Sequence, residues 1–325
     1  MYDHGLGVLE QYGLTAGSVI KGRGALLCDT EEGLKSIREY WGSPVKLEEQ
    51  KKLLSRCRDN GFFMVDQILV NKEGETVTMG EDNVPYMVKD WYLGKECDTR
   101  LEESVRKSMK AMADLHSVLK DESKSREGEN LLQECRKHNQ ELRRVRKYLQ
   151  GKKKKNIFEE RMAAGISVFI DQGEQTAEAL EKSGYEQLLA EKREDICHGE
   201  CNQHNIIFTE KGIAFVNFEH WKRELQTWDI CHFMRKILEK NRWDIEMGKE
   251  MLRAYHKEKN LTGDEMENLR LQLAYPWKYW KMANFYTGSN KVWVSRKNLE
   301  KLEQTTELIK PWKVFLKEFS CSSLL

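Results

Sequence analysis

This 325-residue chain has no apolar run of the roughly 20 residues that a helical membrane span requires. Met1–Gln11 is of mixed polarity and lacks the apolar stretch of a secretory signal, so synthesis and folding in the cytosol are expected. Net charge is also missing: 54 Lys and Arg stand against 53 Asp and Glu, and a formal +1 gives no global pull toward nucleic acid or membrane. The eight cysteines (28, 57, 97, 135, 197, 201, 231 and 321) show no framework spacing, which in a cytosolic chain predicts free thiols. Cys197, Cys201, His204, Cys231 and His232 are close enough in sequence to raise a zinc question. They lack the two tight ligand pairs of a structural site, so packed thiols are the expectation. No internal repeat is present.

What remains is a chain with 39% hydrophobic and 33% charged residues, enough for real cores under a heavily solvated surface. At this length, a small lobe and a larger one are expected. The first third reads as strands with one helix. Val19–Leu27, Ser36–Trp41 and Tyr86–Tyr92 are strand-like, and Phe62–Asn71 with Thr76–Met79 reads as a hairpin around Lys72–Glu75. Lys46–Asn60 carries Leu47, Leu53 and Leu54 near helical spacing and stops at Asn60-Gly61. From Leu101 the period turns helical: Leu101–Leu119, then a polar break at Lys120–Glu129, then Asn130–Gln150, Met162–Ser183 and Glu186–Ala190. Two short strands, Asn205–Phe208 and Ile213–Phe218, interrupt the helical body, which resumes at Asp229 and runs to the end. By pattern alone this is one of several α+β arrangements.

One stretch narrows the choice: Ile196-Cys197-His198-Gly199-Glu200-Cys201-Asn202-Gln203-His204-Asn205, followed by Phe215-Val216-Asn217-Phe218-Glu219. It resembles the catalytic loop and metal-binding turn of aminoglycoside and choline phosphotransferases, H-G-D-x-x-x-x-N and then D-F. In that pattern a carboxylate at the third position takes the acceptor hydroxyl's proton. An asparagine five residues later reaches Mg²⁺, and a carboxylate beyond the hairpin holds the metal on the phosphates. Ala111–His116 resembles the LAxLH helix end of the same superfamily. Gly33–Tyr40 resembles its G-x-x-x-L-K strand, with Arg38, or Lys35 under a shifted alignment, in the slot of the phosphate-contacting lysine. Glu49, or Glu48, is the corresponding counter-ion, and Met87 and Lys89 fall in the strand that completes the nucleotide-contacting set.

Finer features resemble the CotS family of spore coat proteins: Tyr86–Gly94 followed by Lys95-Glu96-Cys97-Asp98, the Trp228–Lys236 helix and Tyr275–Lys281. The resemblance spans nearly the whole chain. It implies an α+β, protein-kinase-like bilobal fold, with a strand-rich N-lobe at about 1–92 and a helical C-lobe at about 93–325 that holds the loop and hairpin at 196–219. ATP and Mg²⁺ are the cofactors it implies, with deposition on the spore coat beside other coat proteins.

The matches and mismatches then decide the expected chemistry. His198, Gly199 and Asn205 match, and His198 is assigned to loop architecture. Glu200 replaces aspartate and moves the carboxylate by roughly 1–1.5 Å, where an ångström of misplacement costs about a hundredfold. Asn217 replaces the metal-holding aspartate and removes a full charge from a hard-oxygen site; Glu219 would compensate only in a remodelled turn. Arg38 puts a broad guanidinium where a compact ammonium belongs. Asp229 is similar to the aspartate that steadies the catalytic loop. Gly22-Arg23-Gly24 is short of a full G-x-G-x-x-G, and a plain hairpin with permissive glycines explains it as well as a phosphate cradle does. Together the three departures predict a pseudokinase acting through binding and assembly. The alternative is an active ATP-dependent phosphotransferase of a small molecule or sugar, with Glu200 as base.

The charge is unevenly placed. Arg136–Lys155 holds ten Lys or Arg against one acid, so the remainder carries about eight net negative charges. A solvated helix face with a lysine loop is the expected reading; an acidic, polyanionic or glycan partner is the functional alternative. The absence of aromatic interleaving argues against nucleic acid. Tyr275, Trp277, Tyr279, Trp280, Phe285 and Tyr286 form a dense aromatic cluster, most of it expected to pack the C-terminal helices.

Overall fold

A computed structural model describes residues 5–22, 24–121, 130–288 and 294–319. Arg23 of the glycine hairpin, most of the Lys120–Glu129 break and Cys321 lie outside them. The chain forms two compact units: residues 1–121 with 196–222, and residues 122–195 with 223–325. The expected N-lobe segment thus shares a unit with the loop and hairpin.

The first unit is built on an antiparallel sheet. Its strands are β1 (Val19–Gly22), β2 (Ala25–Cys28), β3 (Lys35–Glu39), β4 (Thr78–Met79) and β5 (Pro85–Asp90), in the order β1-β2-β3-β5-β4. The expected Val19–Leu27 strand is a tight hairpin, because Gly24 at φ 75° reverses the chain between Gly22 and Ala25. Helix α1 (Pro44–Asp59) starts on a proline at its first position and ends as predicted at Asn60-Gly61. One side of the sheet buries Ile37 and Val88 with Val8, Leu9 and Cys28; Leu47, Ile68 and Met87 form a second cluster.

Phe62–Asn71 departs from the expected hairpin strand. It is extended but makes only isolated bridges, Val65 to Phe215 and Ile68 to Lys89. Beside the second bridge the Leu69 N–H donates to the Val88 carbonyl and the Asp90 N–H to the Gln67 carbonyl; Tyr92 Oη donates to the Val65 carbonyl, and Gln67 donates to the Leu54 carbonyl. The turn at Asn71–Gly74 forms, but β4 pairs with β5. A three-stranded sheet follows, β6 (Lys95–Glu96), β7 (Ile206–Thr209) and β8 (Gly212–Phe215), with α2 at Glu102–Val118.

The second unit is helical. Helix α3 (Leu131–Gly151) packs along α4 (Ile157–Lys182), and each opens on a reciprocal asparagine cap, Asn130 with Gln133 and Asn156 with Glu159. The second cap explains why α4 begins five residues before the apolar period suggests. Helices α5 (Tyr185–Glu191), α6 (Thr227–Leu238), α7 (Ile245–His256), α8 (Gly263–Ala274), α9 (Trp277–Gly288), α10 (Arg296–Glu307) and α11 (Ile309–Glu318) complete it. Phe169 stacks on Tyr279 with ring centroids 3.9 Å apart, and Trp243 meets Trp312 and Phe315. Among the described residues, no helix is long and apolar enough to cross a membrane. The seven described cysteines are free and buried.

Candidate functional site

The loop before β7 is held from several sides. Cys197 and Lys222 exchange backbone hydrogen bonds of 2.8 and 3.1 Å. Gly199 sits at φ 85°, and a Cβ there would overlap the His220 carbonyl, so this position demands glycine twice over. His198 is fully buried. Its Nε2 lies 2.9 Å from the Val216 carbonyl, and its Nδ1 accepts from the Glu200 amide at 3.3 Å, which commits both ring nitrogens to the loop. Asn205 Nδ2 and Asn202 Nδ2 donate to the Glu200 carbonyl at 2.9 and 3.0 Å. These bonds fix the Glu200 backbone while its carboxylate faces solvent, 53% exposed, with His220 Nε2 at 3.9 Å.

The turn after β8 is organised around a cation. Asn217 adopts a left-handed φ of 67°, a conformation asparagine tolerates. Its amide N–H donates to Asp66 Oδ2 at 2.8 Å, its Nδ2 donates to Asn205 Oδ1 at 2.9 Å, and its Oδ1 accepts from Lys89 Nζ at 3.3 Å. Lys89 has 0% exposure and reaches this turn from β5. Its ammonium also lies 2.7 Å from Glu219 Oε1 and 2.8 Å from Asp66 Oδ2. Arg38 approaches Glu219 at 3.6 Å.

Burial opposes every charge in this group, so the pairings decide its ionisation. Burial disfavours the Glu219 carboxylate, but the charge and hydrogen bond of Lys89, with help from Arg38, outweigh it and hold the carboxyl at about 2. Lys89 is raised because the two carboxylates outweigh its desolvation. Asp66 is pushed up, since for this fully buried group desolvation exceeds the pull of Lys89. One ammonium serves two carboxylates, and the deeper carboxylate is the easier to protonate.

Strand pairing sorts the expected nucleotide residues by face. Arg38 is opposite Met87 and Ser36 opposite Lys89, so Arg38, Met87 and Lys89 share a face of the sheet. Lys35 is on the other face, buried, with its ammonium 2.8 Å from Asp90 and donating to the Glu32 carbonyl. That removes Lys35 from the Glu219 side. Met87 packs in the apolar cluster with Leu47. Lys89, expected to contact nucleotide, has its charge taken up by protein carboxylates. Glu49 is half-buried on α1, and α1 packs on the Phe218–His220 turn. An open cavity of about 560 Å³ lies against the β1–β2 hairpin, lined by Gly22, Gly24, Arg38 and Tyr86.

The donors implied for Mg²⁺ do not fit a dication in this arrangement. Asn205 Oδ1 already accepts from Asn217, Asn217 Oδ1 accepts from Lys89, and Glu219 is bonded to the same ammonium. A divalent cation would have to displace these bonds beside a fixed positive charge. Among the described residues, no group of three or more His, Cys, Asp or Glu is arranged to hold a metal, the Cys197–His232 set included.

The remaining expected residues are distributed between the units. Asp229 is fully buried in the first turn of α6, in the second unit. His204 Nδ1 lies 2.7 Å from Glu96 at the surface. The basic stretch is partly neutralised in place: Arg136, Arg143 and Lys152 pair with Glu181, Glu174 and Glu159 of α4, whereas Lys153 and Lys154 are exposed. Tyr275, Trp277 and Tyr279 are buried, and Trp280 stacks on His138 at 3.5 Å. Asp66 is the residue that sequence reasoning missed. Its signal was a lone carboxylate inside the apolar run Phe62–Leu69, which implies a buried ionic partner.

No family model matches the chain, and no curated protein matches it. Solved structures do. An aminoglycoside phosphotransferase from Alicyclobacillus acidocaldarius superposes with a TM-score of 0.84 at 16% identity, covering 97% of this chain and 94% of its own. A spectinomycin phosphotransferase, solved with ADP and spectinomycin, gives 0.62 at 13% identity over 98% and 97%. A choline kinase from Cryptosporidium parvum gives 0.57 at 14% identity over 94% and 90%. The chain therefore has the protein-kinase-like fold of small-molecule phosphotransferases, α+β with a small antiparallel sheet and a larger helical body.

Proposed function

We propose that this chain is a kinase-fold protein of the spore coat that acts through binding and assembly, with its phosphoryl-transfer machinery retired. The observation that supports retirement is the Lys89 ammonium, which lies within hydrogen-bonding reach of Glu219, Asp66 and Asn217 at the turn where a phosphotransferase holds its metal. The turn is held together by an internal cation, and both amide oxygens are committed to protein donors. Nucleotide, as in the ADP-bound spectinomycin phosphotransferase, would be held through its base and through Arg38, without a metal bridge.

In this reading the protein is made in the cytosol and carried to the spore surface by partner proteins of the coat. Lys153 and Lys154 are the exposed part of the basic stretch and its contact for an acidic or glycan partner. A fluorescent fusion in a spore-forming host tests this. A ring on the spore that weakens with Lys153→Ala/Lys154→Ala fits the proposal; diffuse mother-cell fluorescence during coat deposition would sink the coat assignment.

One observation favours an active phosphotransferase instead. The Glu200 carboxylate is exposed on a loop whose backbone is fixed by Asn202 and Asn205, a suitable placement for a general base. Thermal denaturation with millimolar ATP separates the two readings. A rise that requires Mg²⁺ supports the enzyme, and a rise indifferent to Mg²⁺, or none, supports the binding protein.

A further inference from the structure

Within the second unit, α6, α9 and α10 enclose an open cavity of about 600 Å³, the size of a small-molecule site. Its charged lining is one-sided: Arg235, Lys236, Lys278, Lys281 and Lys301 face a single carboxylate, Glu239. Glu239 lies 3.3 Å from both Arg235 Nη1 and Lys278 Nζ, so one negative charge is shared by two of the five cations. Arg235 is only 5% exposed, and its Nε has no hydrogen-bond partner. A buried guanidinium N–H left without an acceptor is costly unless something else supplies one.

The crowding is visible at Lys236 as well. It lines the cavity from an exposed side chain, and partial burial first, then the neighbouring Arg235, Lys281 and Lys278, lowers its affinity for a proton. Stability alone does not explain assembling like charges around a hollow. The rest of the wall is apolar and aromatic, from Phe158 to the exposed Phe285, with Tyr286 beside them. Ser295, the N-cap of α10, and Asn298, in its first turn, add a capped helix N-terminus to the rim.

We propose that this cavity binds a small organic phosphate, with the phosphate among Arg235, Lys236 and Lys281 and the carbon body against Phe158 and Phe285. Arginine and lysine in a concave, partly desolvated site supply the charge-assisted bonds a phosphate needs. The aromatic wall supplies the surface for an attached ring. The concavity favours a compact ligand over an extended polyanion. The site does not depend on the nucleotide reading above, since every residue it uses belongs to the second unit.

Phenyl phosphate is the probe, with phenol as the uncharged control and long-chain polyphosphate as the extended one, each titrated calorimetrically into the full chain. The proposal expects phenyl phosphate to bind and phenol not to. It also expects Lys236→Gln/Lys281→Gln to weaken binding by roughly a hundredfold or more, the loss expected for two charge-assisted bonds. The same variant, without ligand, is expected to keep the far-UV circular dichroism of the parent, which separates lost binding from lost folding. Absence of phenyl phosphate binding, binding unchanged in the variant, or binding of polyphosphate alone would each overturn it.

Discussion

Lys89 Nζ lies 2.7 Å from Glu219 Oε1, joining a strand to a turn 130 residues further along the chain, with no exposure at the lysine. Asp66 completes the triad at 2.8 Å from the same nitrogen. This ionic group holds the Asn217–Glu219 turn against β5.

Removing the cation should be severe. Lys89→Met leaves two buried carboxylates facing each other, and stripping one partner from a buried pair costs about 3–5 kcal/mol. Urea denaturation of the variant should show that loss. Adding Asp66→Asn and Glu219→Gln should recover much of it, because the uncompensated charge is then gone. A loss under about 1 kcal/mol for the single change would mean that the triad is not a fixed ion group.

Asn217→Asp puts a third carboxylate around one ammonium and removes the Nδ2 donor to Asn205. The excess negative charge should recruit a divalent cation. The variant should therefore gain a thermal shift with ATP that depends on Mg²⁺. If it gains none, Asn217 is not at the metal position.

Gly199→Ala should disable the loop. Its backbone is left-handed, and the new methyl would collide with the His220 carbonyl, which is backbone and cannot swing aside. A drop in stability of several kcal/mol, or failure to fold, is expected. A melting temperature within a degree or two of the parent would contradict the loop geometry.

His138 gives the protein an acid-sensitive side. Burial, then Lys137 and Lys281, lowers its value to about 4, while an unfolded histidine titrates near 6.5. The native state thus refuses a proton that the unfolded chain accepts. The stability this contributes is fully present above pH 6.5 and is lost as pH falls toward 4. Between pH 7 and pH 5 the loss is at most roughly 2 kcal/mol. Chemical denaturation at the two pH values should show that His138→Gln removes this part of the slope; identical slopes in parent and variant would refute it.

Much of this was readable in the residues. The His198–Asn205 segment identified the loop because its glycine and asparagine have strict geometric duties. The helical body followed from its period, and α1 from Asn60-Gly61. The destination of Lys89 was not readable. A lysine beside Val88 looks like any alternating strand position, and its partners come from residues 66 and 219 through tertiary folding. Lys35 was misleading for a related reason: one residue of register on a strand changes the face, and only the pairing with β5 shows which face meets Glu219. Phe62–Asn71 had the composition of a strand, but it meets β5 and β8 only at single bridges, and other hydrogen bonds of the segment join Leu54, Tyr92 and Asn217.

The affinity for ATP, measured by calorimetry with and without Mg²⁺, tests the central claim most directly. The proposal that the Lys89 ammonium replaces a metal predicts that Mg²⁺ changes the affinity by less than about twofold, or that no binding occurs in either condition. Tightening by about tenfold or more on adding Mg²⁺ would show that the turn still grips a dication, and would contradict the account.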